Sequence, residues 1–490
     1  MKKLVSLLLV CLLCASVLPM AIAEEEAPID LRYLYSTDSF DPETDITRQL
    51  ILEELNVNII PEMYSAADQI TLILSSDQVY DMIKVTDASL LASYAEAHVI
   101  TDLTDIVMQY PDFYNMFSKE IWDTVSIDGR IYAIPEIDTS DIEWGIVVRT
   151  DWLEKCNLEP PTTVDEFYNM LVAFSQMDPA DVGVDYIIPF TMSGVNTTLG
   201  ANGLIQAFGL GGNMHEFVET EDGTLAFGYD LPGGKEFLTF MNKLYAEGLL
   251  DADFPTNQNA NVVERLSSGV AGAAVYCCWD SSARDTLIAN FPEADFTYLQ
   301  PLTKEGFEEK GRIYTRGGLK NYLIVPANSD KAEEVVKYCV DFMDDAHYTR
   351  LILGDEGVHY EVRNGTYYPI FPAFDEMNKG RWFYPTNVGE KYTPLFAVRA
   401  HKEESMGILW DNLNRWREDY GYLEITRTAP LLRAYSENIG TLNSLSYEYL
   451  IKAILDENEL ANYDTFVENW MASGGAAWTE ELNEWYKNSK

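Results

Sequence analysis

The stretch that decides the fold runs from Asp128 to Leu171. Residues 128–135 read DGRIYAIP, an acidic run follows as far as Glu143, and residues 144–153 read WGIVVRTDWL. This pattern predicts a glycine turn, a short apolar strand, a polar connection and a second, buried strand. Because the connection is too polar for a protein core, we expect the chain to pass there from one lobe to another.

A well-marked helix follows the second strand. Thr163 and Glu166 have the spacing of a capping box, and the apolar residues Phe167, Met170 and Phe174 recur at helical spacing. The sequence therefore predicts a helix that begins after Thr163 and buries one face.

The segments that precede this stretch alternate between strands and helices. Residues 29–35 alternate in the period-two manner of a strand, and short apolar runs at 57–60 and 81–85 predict two more strands with helices between them. This order predicts an α/β domain with a largely parallel sheet. From Asp375 onward little strand signal remains, so we expect a helical C-terminal region.

The composition limits the function classes. The chain has 490 residues, of which 79 are acidic and 34 basic, and its formal net charge is −45. Nucleic acids and anionic membrane surfaces would repel such a chain, so neither is an expected partner. With 47% hydrophobic residues the chain can build a large core, and its length suggests two or three domains.

The first 23 residues have the pattern of an export signal. Lys2 and Lys3 precede an apolar run, and small residues stand at Ala21 and Ala23. We expect signal peptidase to cleave after Ala23, which gives an exported periplasmic or extracellular protein. Two alternatives stay open: an uncleaved anchor, and a lipoprotein acylated at an early cysteine.

The sequence lacks the familiar catalytic and metal-binding motifs. Nucleophile-elbow, zincin, P-loop and dinucleotide-binding patterns are missing, and the five histidines have no ligand spacing. An acidic cluster at Glu136, Asp138, Asp141 and Glu143 leaves one enzymatic alternative, because glycosidases need two opposed carboxylates. Hydrogen bonding of these carboxylates to ligand hydroxyls is the other interpretation of the cluster.

A calcium loop is the one metal site to consider. Asp178, Asp181 and Asp185 are oxygen donors in a short span, but Ala180 and Val182 occupy positions where ligands would be needed. Calcium takes about 6–8 oxygens, so three carboxylates make a weak site. We expect no metal and no other cofactor.

Five segments, taken in order, resemble the sugar-type extracellular solute-binding proteins of ABC importers. They are SSDQVYDMI at 75–83 with Tyr80 where the family has proline, the run from DGRIYAIP to PPTTVDE at 128–166, GVAGAAVY at 269–276 followed by Trp279, GVHY at 357–360 with Gly354, and NEWY at 483–486. The resemblance covers most of the chain after the signal, and its strength lies in the order of the segments.

The resemblance implies a type II periplasmic-binding fold with two α/β lobes that close on a ligand by hinge motion. We expect residues 24–140 and 318–372 to form lobe 1, and residues 141–317 and 373–490 to form a helix-rich lobe 2. The chain should cross between the lobes near 136–144 and again near 312–320. The implied protein is a non-catalytic monomer that captures a carbohydrate, such as an oligosaccharide, and delivers it to an ABC permease.

The resemblance also suggests which residues bind the ligand. Trp279 follows a strand of small residues, where its ring can stack on a sugar and its indole N–H can donate a hydrogen bond. The other candidates follow strand ends or lie at the crossovers: Asp38, Thr86, Asp87, Glu143, Trp144 and Arg316. Two alternatives remain for the function: a secreted glycosidase using the 136–143 carboxylates, and a binder of peptides or other solutes on the same fold.

Overall fold

The structure is a computed structural model. It describes residues 27–36, 41, 43–65, 68–86, 90–139, 141–194, 202–211, 217–307, 310–378, 384, 395 and 397–489. The predicted signal peptide and two candidate site residues, Asp38 and Asp87, lie outside the described residues. Within the described ranges, no helix has the length and apolar character needed to cross a membrane.

Seventeen strands are formed by the described residues. They are β1 Ile29–Ser36, β2 Val57–Tyr64, β3 Met82–Val85, β4 Ser126–Ile127, β5 Arg130–Ile131, β6 Ile134–Ile137, β7 Trp144–Arg149, β8 Ile188–Thr191, β9 Phe217–Glu219, β10 Leu225–Phe227, β11 Ala271–Cys277, β12 Phe296–Tyr298, β13 Ile313–Tyr314, β14 Leu319–Ile324, β15 Tyr360–Arg363, β16 Thr366–Pro369 and β17 Gly421–Tyr422.

Helices connect these strands and form most of the C-terminal region. The α-helices of seven or more residues are Ile46–Leu55, Asp68–Leu74, Thr150–Cys156, Val164–Ser175, Pro232–Ala246, Asn259–Ser267, Ser282–Asn290, Ala332–Met343, Asp345–Leu353, Glu404–Asn414, Arg433–Leu455, Tyr463–Trp470 and Ala476–Ser489.

The helix Val164–Ser175 confirms the predicted capping box. The Thr163 hydroxyl accepts a hydrogen bond from the backbone N–H of Glu166 at 3.2 Å, and the Glu166 carboxylate accepts one from the backbone N–H of Thr163 at 3.2 Å. Phe167, Met170 and Phe174 are buried in the core beneath the helix. The backbone N–H groups at the start of the helix therefore have hydrogen-bond partners in their own first turn, and the opposite, apolar face is buried.

The first sheet has five strands in the order β2–β1–β3–β14–β6. β1 is parallel to β2 and β3, and β14 is antiparallel to both β3 and β6. The carboxyl ends of β3 and β6 therefore meet the amino end of β14 at one edge of the sheet. This edge lies beside the chain segments that lead to the second sheet.

The second sheet has four strands in the order β12–β7–β11–β8, with β11 antiparallel to β7 and parallel to β8. The amino end of β7 and the carboxyl end of β11 therefore share an edge. Each sheet has its own hydrophobic core, and the core of the second lobe includes the helices Arg433–Leu455 and Tyr463–Trp470. The predicted two-lobed α/β architecture is confirmed.

Three passages between the lobes can be traced through the described residues. It leaves the first sheet after β6 and enters the second at β7, and it returns through β13 to β14. Both passages fall within the predicted crossovers. A third passage follows Val398, which lies in the first core, and precedes Leu409, which lies in a core of the second lobe.

The third passage differs from the expected boundary at residue 372. Phe374, Met377 and Val398 are buried in the core of the first lobe rather than the second. The reason is local packing: the helix Ala373–Asn378 contacts the helix Ile46–Leu55, and the Thr47 hydroxyl donates a hydrogen bond to the Met377 carbonyl at 3.1 Å. The described core residues between 373 and 398 thus pack with lobe 1, and the remaining expected boundaries stay predictions.

Candidate ligand-binding cleft

Three polar side chains meet where the first sheet faces the crossovers. Lys84 lies near the carboxyl end of β3, Glu136 near that of β6, and Asn321 near the amino end of β14 between them. The Glu136 carboxylate accepts hydrogen bonds from Lys84 Nζ at 2.8 Å and from Asn321 Nδ2 at 2.9 Å. All three residues are buried. Buried charges are tolerated when they are paired and hydrogen bonded, and this group satisfies that condition.

The facing edge of the second sheet presents Glu143 and Trp279. The backbone N–H of Cys278 donates to the Glu143 carbonyl at 2.9 Å, which fixes the two segments side by side. Trp279 is half-buried, and its indole Nε1 is buried without an acceptor among the described residues. The ring of Trp279, rather than its buried N–H, is therefore the part of this side chain that borders the space between the lobes.

Arg316 ties the two predicted crossovers together. Its guanidinium holds Asp138 through two nitrogen–oxygen contacts, one of 2.9 Å from Nε to Oδ2, and its Nη1 lies 3.4 Å from Glu143 Oε1. Gly318, with φ +67°, completes this passage: a Cβ there would lie 2.6 Å from the carbonyl oxygen of Arg427. Only glycine fits this close approach.

The third passage brings further cations to the same place. Arg399 lies with its guanidinium 5.8 Å from the centre of the Trp279 ring, and Lys402 follows one turn later. The segment is fixed to the second lobe, because the Ser281 hydroxyl donates to the Glu403 carboxylate at 2.6 Å. The Ser405 hydroxyl accepts from Arg284 Nη1 at 2.8 Å.

These groups surround a cavity of about 330 Å³, which we term the charged cavity. Both lobes and all three passages contribute to its wall. Its lining residues are Lys84, Glu136, Glu143, Trp279, Arg316, Lys320, Asn321, Arg399, Lys402 and Met406.

A second cavity, of about 470 Å³, lies between the first lobe and the C-terminal helices, and we term it the C-terminal cavity. Lys320 borders both cavities, so they are neighbouring parts of one cleft. Its lining residues are Thr86, Thr124, Leu319, Lys320, Tyr322, Glu424, Thr426, Arg427, Ala429, Pro430, Leu431, Leu432, Tyr435, Ile439, Asn443, Trp478 and Leu482.

Two carboxylates of the 136–143 cluster, Asp138 and Glu143, have pKa values shifted in opposite directions. Burial would raise the pKa of Asp138, but the positive charges of Arg316 and Lys320 lower it below its ordinary value. Burial raises the pKa of Glu143 above its ordinary value, and the neighbouring Asp141 adds to this against the opposing effect of Arg316. Asp138 is therefore committed to its ion pair, whereas Glu143 can take up a proton more readily.

The structure brings together part of the predicted site. Glu143, Trp279 and Arg316 line the charged cavity, and Thr86 lines the C-terminal cavity. Trp144 does not line either cavity: it packs against the second core, and its carbonyl accepts a hydrogen bond from Asn202 Nδ2 at 2.9 Å. The ligand-binding role of the other four stays a prediction.

Of the five cations that line the charged cavity, the sequence suggested Arg316 alone. Lys84 and Lys320 did carry a signal, because each is a charged residue inside or beside an apolar strand run at the edge where ligands bind. Arg399 and Lys402 had no such signal, since their position depends on a passage between lobes that was expected elsewhere.

The structure does not assemble the weak calcium loop. Asp178, Asp181 and Asp185 are all exposed, and the Asp178 carboxylate accepts a hydrogen bond from the backbone N–H of Ala180 at 3.0 Å. In the part of the chain that the structure describes, no three His, Cys, Asp or Glu side chains are grouped to hold a metal ion.

Comparison with known proteins places the chain in a family. The profile of the bacterial extracellular solute-binding proteins matches residues 42–343. The polygalacturonan/rhamnogalacturonan-binding protein YtcQ of Bacillus subtilis is 24% identical over 451 residues, which cover 89% of this chain and 86% of YtcQ. Lipoprotein LipO of the same organism is 24% identical over 455 residues, covering 89% of this chain and 87% of LipO.

A solved structure has the same fold. The ABC-transporter substrate-binding protein FusA of Streptococcus pneumoniae, as an EF-hand mutant in complex with fructo-nystose, aligns over 94% of this chain and 99% of FusA with a TM-score of 0.70 and 18% identity. The expected type II periplasmic-binding fold is confirmed. The chain belongs to the bacterial extracellular solute-binding proteins.

Proposed function

We propose that this protein is the extracytoplasmic substrate-binding component of an ABC transporter, and that it captures a carbohydrate in the cleft between its lobes. The observation that carries the proposal is the composition of the charged cavity, to which both lobes and all three passages contribute side chains. A ligand held there would contact both lobes at once, which is the requirement for coupling binding to closure.

The chemistry of the cleft suits a sugar. The charged cavity offers the indole ring of Trp279, and charged side chains that can hydrogen bond to hydroxyl groups. The adjoining C-terminal cavity gives room for further sugar residues, so we infer an oligosaccharide. The names of two similar proteins support this class: YtcQ is named for binding polygalacturonan and rhamnogalacturonan, and FusA was solved with fructo-nystose.

We infer that the protein binds its ligand without chemical change. A glycosidase would need two opposed carboxylates, one of them protonated as an acid. Here Glu136 is paired with Lys84, and Asp138 is paired with Arg316. Glu143 has the raised pKa of an acid, but the neighbouring carboxylates are engaged in ion pairs and hydrogen bonds that hold them in place.

A thermal-shift screen over oligosaccharides, with products analysed by chromatography, tests both parts of this proposal. A ligand at about 100 times its Kd should add about 2.7 kcal/mol of stability, and it should be recovered intact. Failure of every carbohydrate to stabilise the protein, or stabilisation by peptides instead, would contradict the carbohydrate assignment. Turnover of a stabilising sugar would favour the glycosidase.

Closure of the lobes should accompany binding. The described residues connect the two lobes through three passages, and each passage borders the charged cavity. We therefore infer a hinge at these segments. Small-angle scattering should show a smaller radius of gyration with saturating oligosaccharide than without it. An unchanged radius with a ligand of confirmed binding would argue against the hinge.

We propose that export removes residues 1–23 and leaves Glu24 as the first residue. The Ala21-x-Ala23 pattern supports this. The similar protein LipO is a lipoprotein, so acylation at Cys11 or Cys14 is the alternative. Mass spectrometry of the exported protein separates the two, because an acylated cysteine at the N-terminus would exclude cleavage after Ala23.

A further inference from the structure

Two ammonium groups in the charged cavity have loose partners. Lys320 Nζ lies 3.7 Å from Asp138 Oδ1, and Lys402 Nζ lies 3.8 Å from Glu403 Oε1. Both separations exceed the range of an N–H···O hydrogen bond. About a third of each lysine side chain is exposed, at 34% for Lys320 and 33% for Lys402. These ammonium groups can therefore accept a stronger partner from the cleft.

The carboxylates nearest to these two lysines already accept hydrogen bonds from other donors. Asp138 is held by two nitrogens of Arg316. Glu403 accepts a hydrogen bond from the Ser281 hydroxyl at 2.6 Å. Each lysine therefore lies nearest to a carboxylate that already has another donor, at a separation longer than a hydrogen bond.

Cations outnumber carboxylates among the residues that line the charged cavity, and the carboxylates of Asp138 and Glu403 lie behind two of these cations. Acidic residues outnumber basic ones by 79 to 34 in the sequence. The lining of the charged cavity nevertheless contains five cations, Lys84, Arg316, Lys320, Arg399 and Lys402, and two carboxylates, Glu136 and Glu143. Both carboxylates have cationic partners at 2.8 and 3.4 Å. Lys320 and Lys402 thus line the cavity with their ammonium groups beyond hydrogen-bond distance of the carboxylates nearest to them.

We infer that the bound carbohydrate is acidic, and that a carboxylate of one of its sugar residues binds to Lys320 and Lys402 in the charged cavity. This inference rests on the proposed function and specifies its ligand class. An ammonium–carboxylate contact is a charge-assisted hydrogen bond, which is about twice as strong as a neutral one. A neutral sugar would offer these two ammonium groups only hydroxyl oxygens, which make weaker hydrogen bonds with them than a carboxylate does.

Matched pairs of oligosaccharides test the inference by calorimetric titration. The acidic probes are three tetrasaccharides, which contain galacturonate, mannuronate or glucuronate. The control for each is the same tetrasaccharide with its carboxylates reduced to alcohols. We expect at least one acidic probe to bind at least tenfold more tightly than its reduced form. This preference should decrease as salt is raised, because salt screens exposed charges.

Substitutions locate the preference. Lys320→Met and Lys402→Met keep the length of the side chain and should each reduce the acidic preference at least threefold, while Lys320→Arg should retain it. The matched control is Lys337→Met, because Lys337 lies outside both cavities on the helix Ala332–Met343 and is 56% exposed. It should leave both affinities unchanged. Thermal melts of each variant establish that it folds.

The outcomes separate this inference from the proposed function. Equal or tighter binding of the reduced tetramers would overturn the acidic assignment and leave carbohydrate binding intact. An acidic preference that survives both methionine variants would overturn the assignment to these lysines. If neither series binds and no neutral oligosaccharide does, the proposed function fails as well.

Discussion

The two cavities of the cleft share Lys320 but differ in their walls. In the charged cavity seven of ten lining residues are charged, whereas in the C-terminal cavity three of seventeen are, and aromatic and aliphatic side chains predominate. The charged cavity lies where the chain passes between the lobes. Its wall is charged because these passages are polar and begin or end at strands. The C-terminal cavity lies where helices pack against the first lobe. We expect the charged cavity to bind polar or charged groups of the ligand, and the C-terminal cavity to contact the apolar faces of its sugars.

The largest expected effect is on stability, at a tryptophan that lines the C-terminal cavity and is also packed in the core. Trp478 is 4% exposed and packs against Phe217 and Tyr435, with ring centres 4.9 and 5.0 Å away. Truncation of a buried tryptophan costs about 3–5 kcal/mol, so Trp478→Ala should lower the free energy of unfolding by that amount in denaturant melts. Trp485→Ala, at a half-buried position on the same helix, is the control and should lower it by less. Equal losses would show that the wall of this cavity is not a packed core.

The ion pair between the first two passages should also support the fold, in a pH-dependent manner. Asp138→Asn leaves Arg316 without its closest partner, and breaking a buried pair costs about 3 kcal/mol. Because the pKa of Asp138 is lowered from its ordinary 3.8 in the folded protein, the pair's contribution is fully present above pH 3.8. It is lost as the pH falls through the lower, folded-state pKa.

Denaturant melts of wild type and Asp138→Asn at pH 7 and pH 3 check this expectation. The difference in unfolding free energy should be large at pH 7 and smaller at pH 3. Asp341→Asn is the control, because Asp341 pairs with Lys337 on a helix surface and such pairs contribute about 0–1 kcal/mol. A difference that is the same at both pH values would mean that the Asp138 charge does not stabilise the passages.

The charged cavity should respond in binding rather than in folding. Trp279 is half-buried in the wall of the charged cavity, and aromatic anchors in binding sites contribute on the order of 2 kcal/mol or more. Trp279→Ala should therefore weaken oligosaccharide binding roughly 30-fold, since about 1.4 kcal/mol is tenfold. Calorimetric titration measures this, with Trp416→Ala as a half-buried tryptophan outside both cavities. Unchanged affinity in Trp279→Ala would place the sugar elsewhere.

The smallest effect distinguishes the two cavities by ligand length. Tyr435 is half-buried in the wall of the C-terminal cavity, and an aromatic contact contributes about 1 kcal/mol. Tyr435→Ala should weaken the binding of a tetrasaccharide about fivefold and leave a disaccharide unaffected, because only the longer ligand extends beyond Lys320. Tyr186→Ala, at a position that is 56% exposed, serves as the control. A loss that is equal for both lengths would mean that the cavities do not act as separate subsites.

The sequence predicts those features of the fold and the site that depend on interactions between residues close together in the chain. The capping box at Thr163 and the strands that flank the acidic run are set by neighbouring residues, so periodicity and spacing predict them. Glu143, Trp279 and Arg316 are suggested by the resemblance of short motifs to the solute-binding family, and each of these residues lies near the end of a strand or beside a glycine turn. These short-range signals place residues at the edge of a sheet, where the cleft lies.

The rest of the site depends on contacts between distant segments. The region after Asp375 reads as helical, and helical periodicity identifies an apolar face without naming the lobe against which it packs. The helix Ala373–Asn378 packs on lobe 1 through Phe374 and Met377, which moves the third passage to residues near Arg399. For the same reason Thr86 was the one residue of the C-terminal cavity that the sequence suggested.

The central claim is that a carbohydrate binds between the lobes and contacts both of them. The most direct test is a crystal structure of the protein with an oligosaccharide that stabilises it in the thermal-shift screen. We predict a sugar ring against the face of Trp279 and hydrogen bonds from Lys320 of the first lobe and from at least one residue of the second. A sugar bound outside both cavities, or one that contacts a single lobe with the cleft unoccupied, would contradict the account.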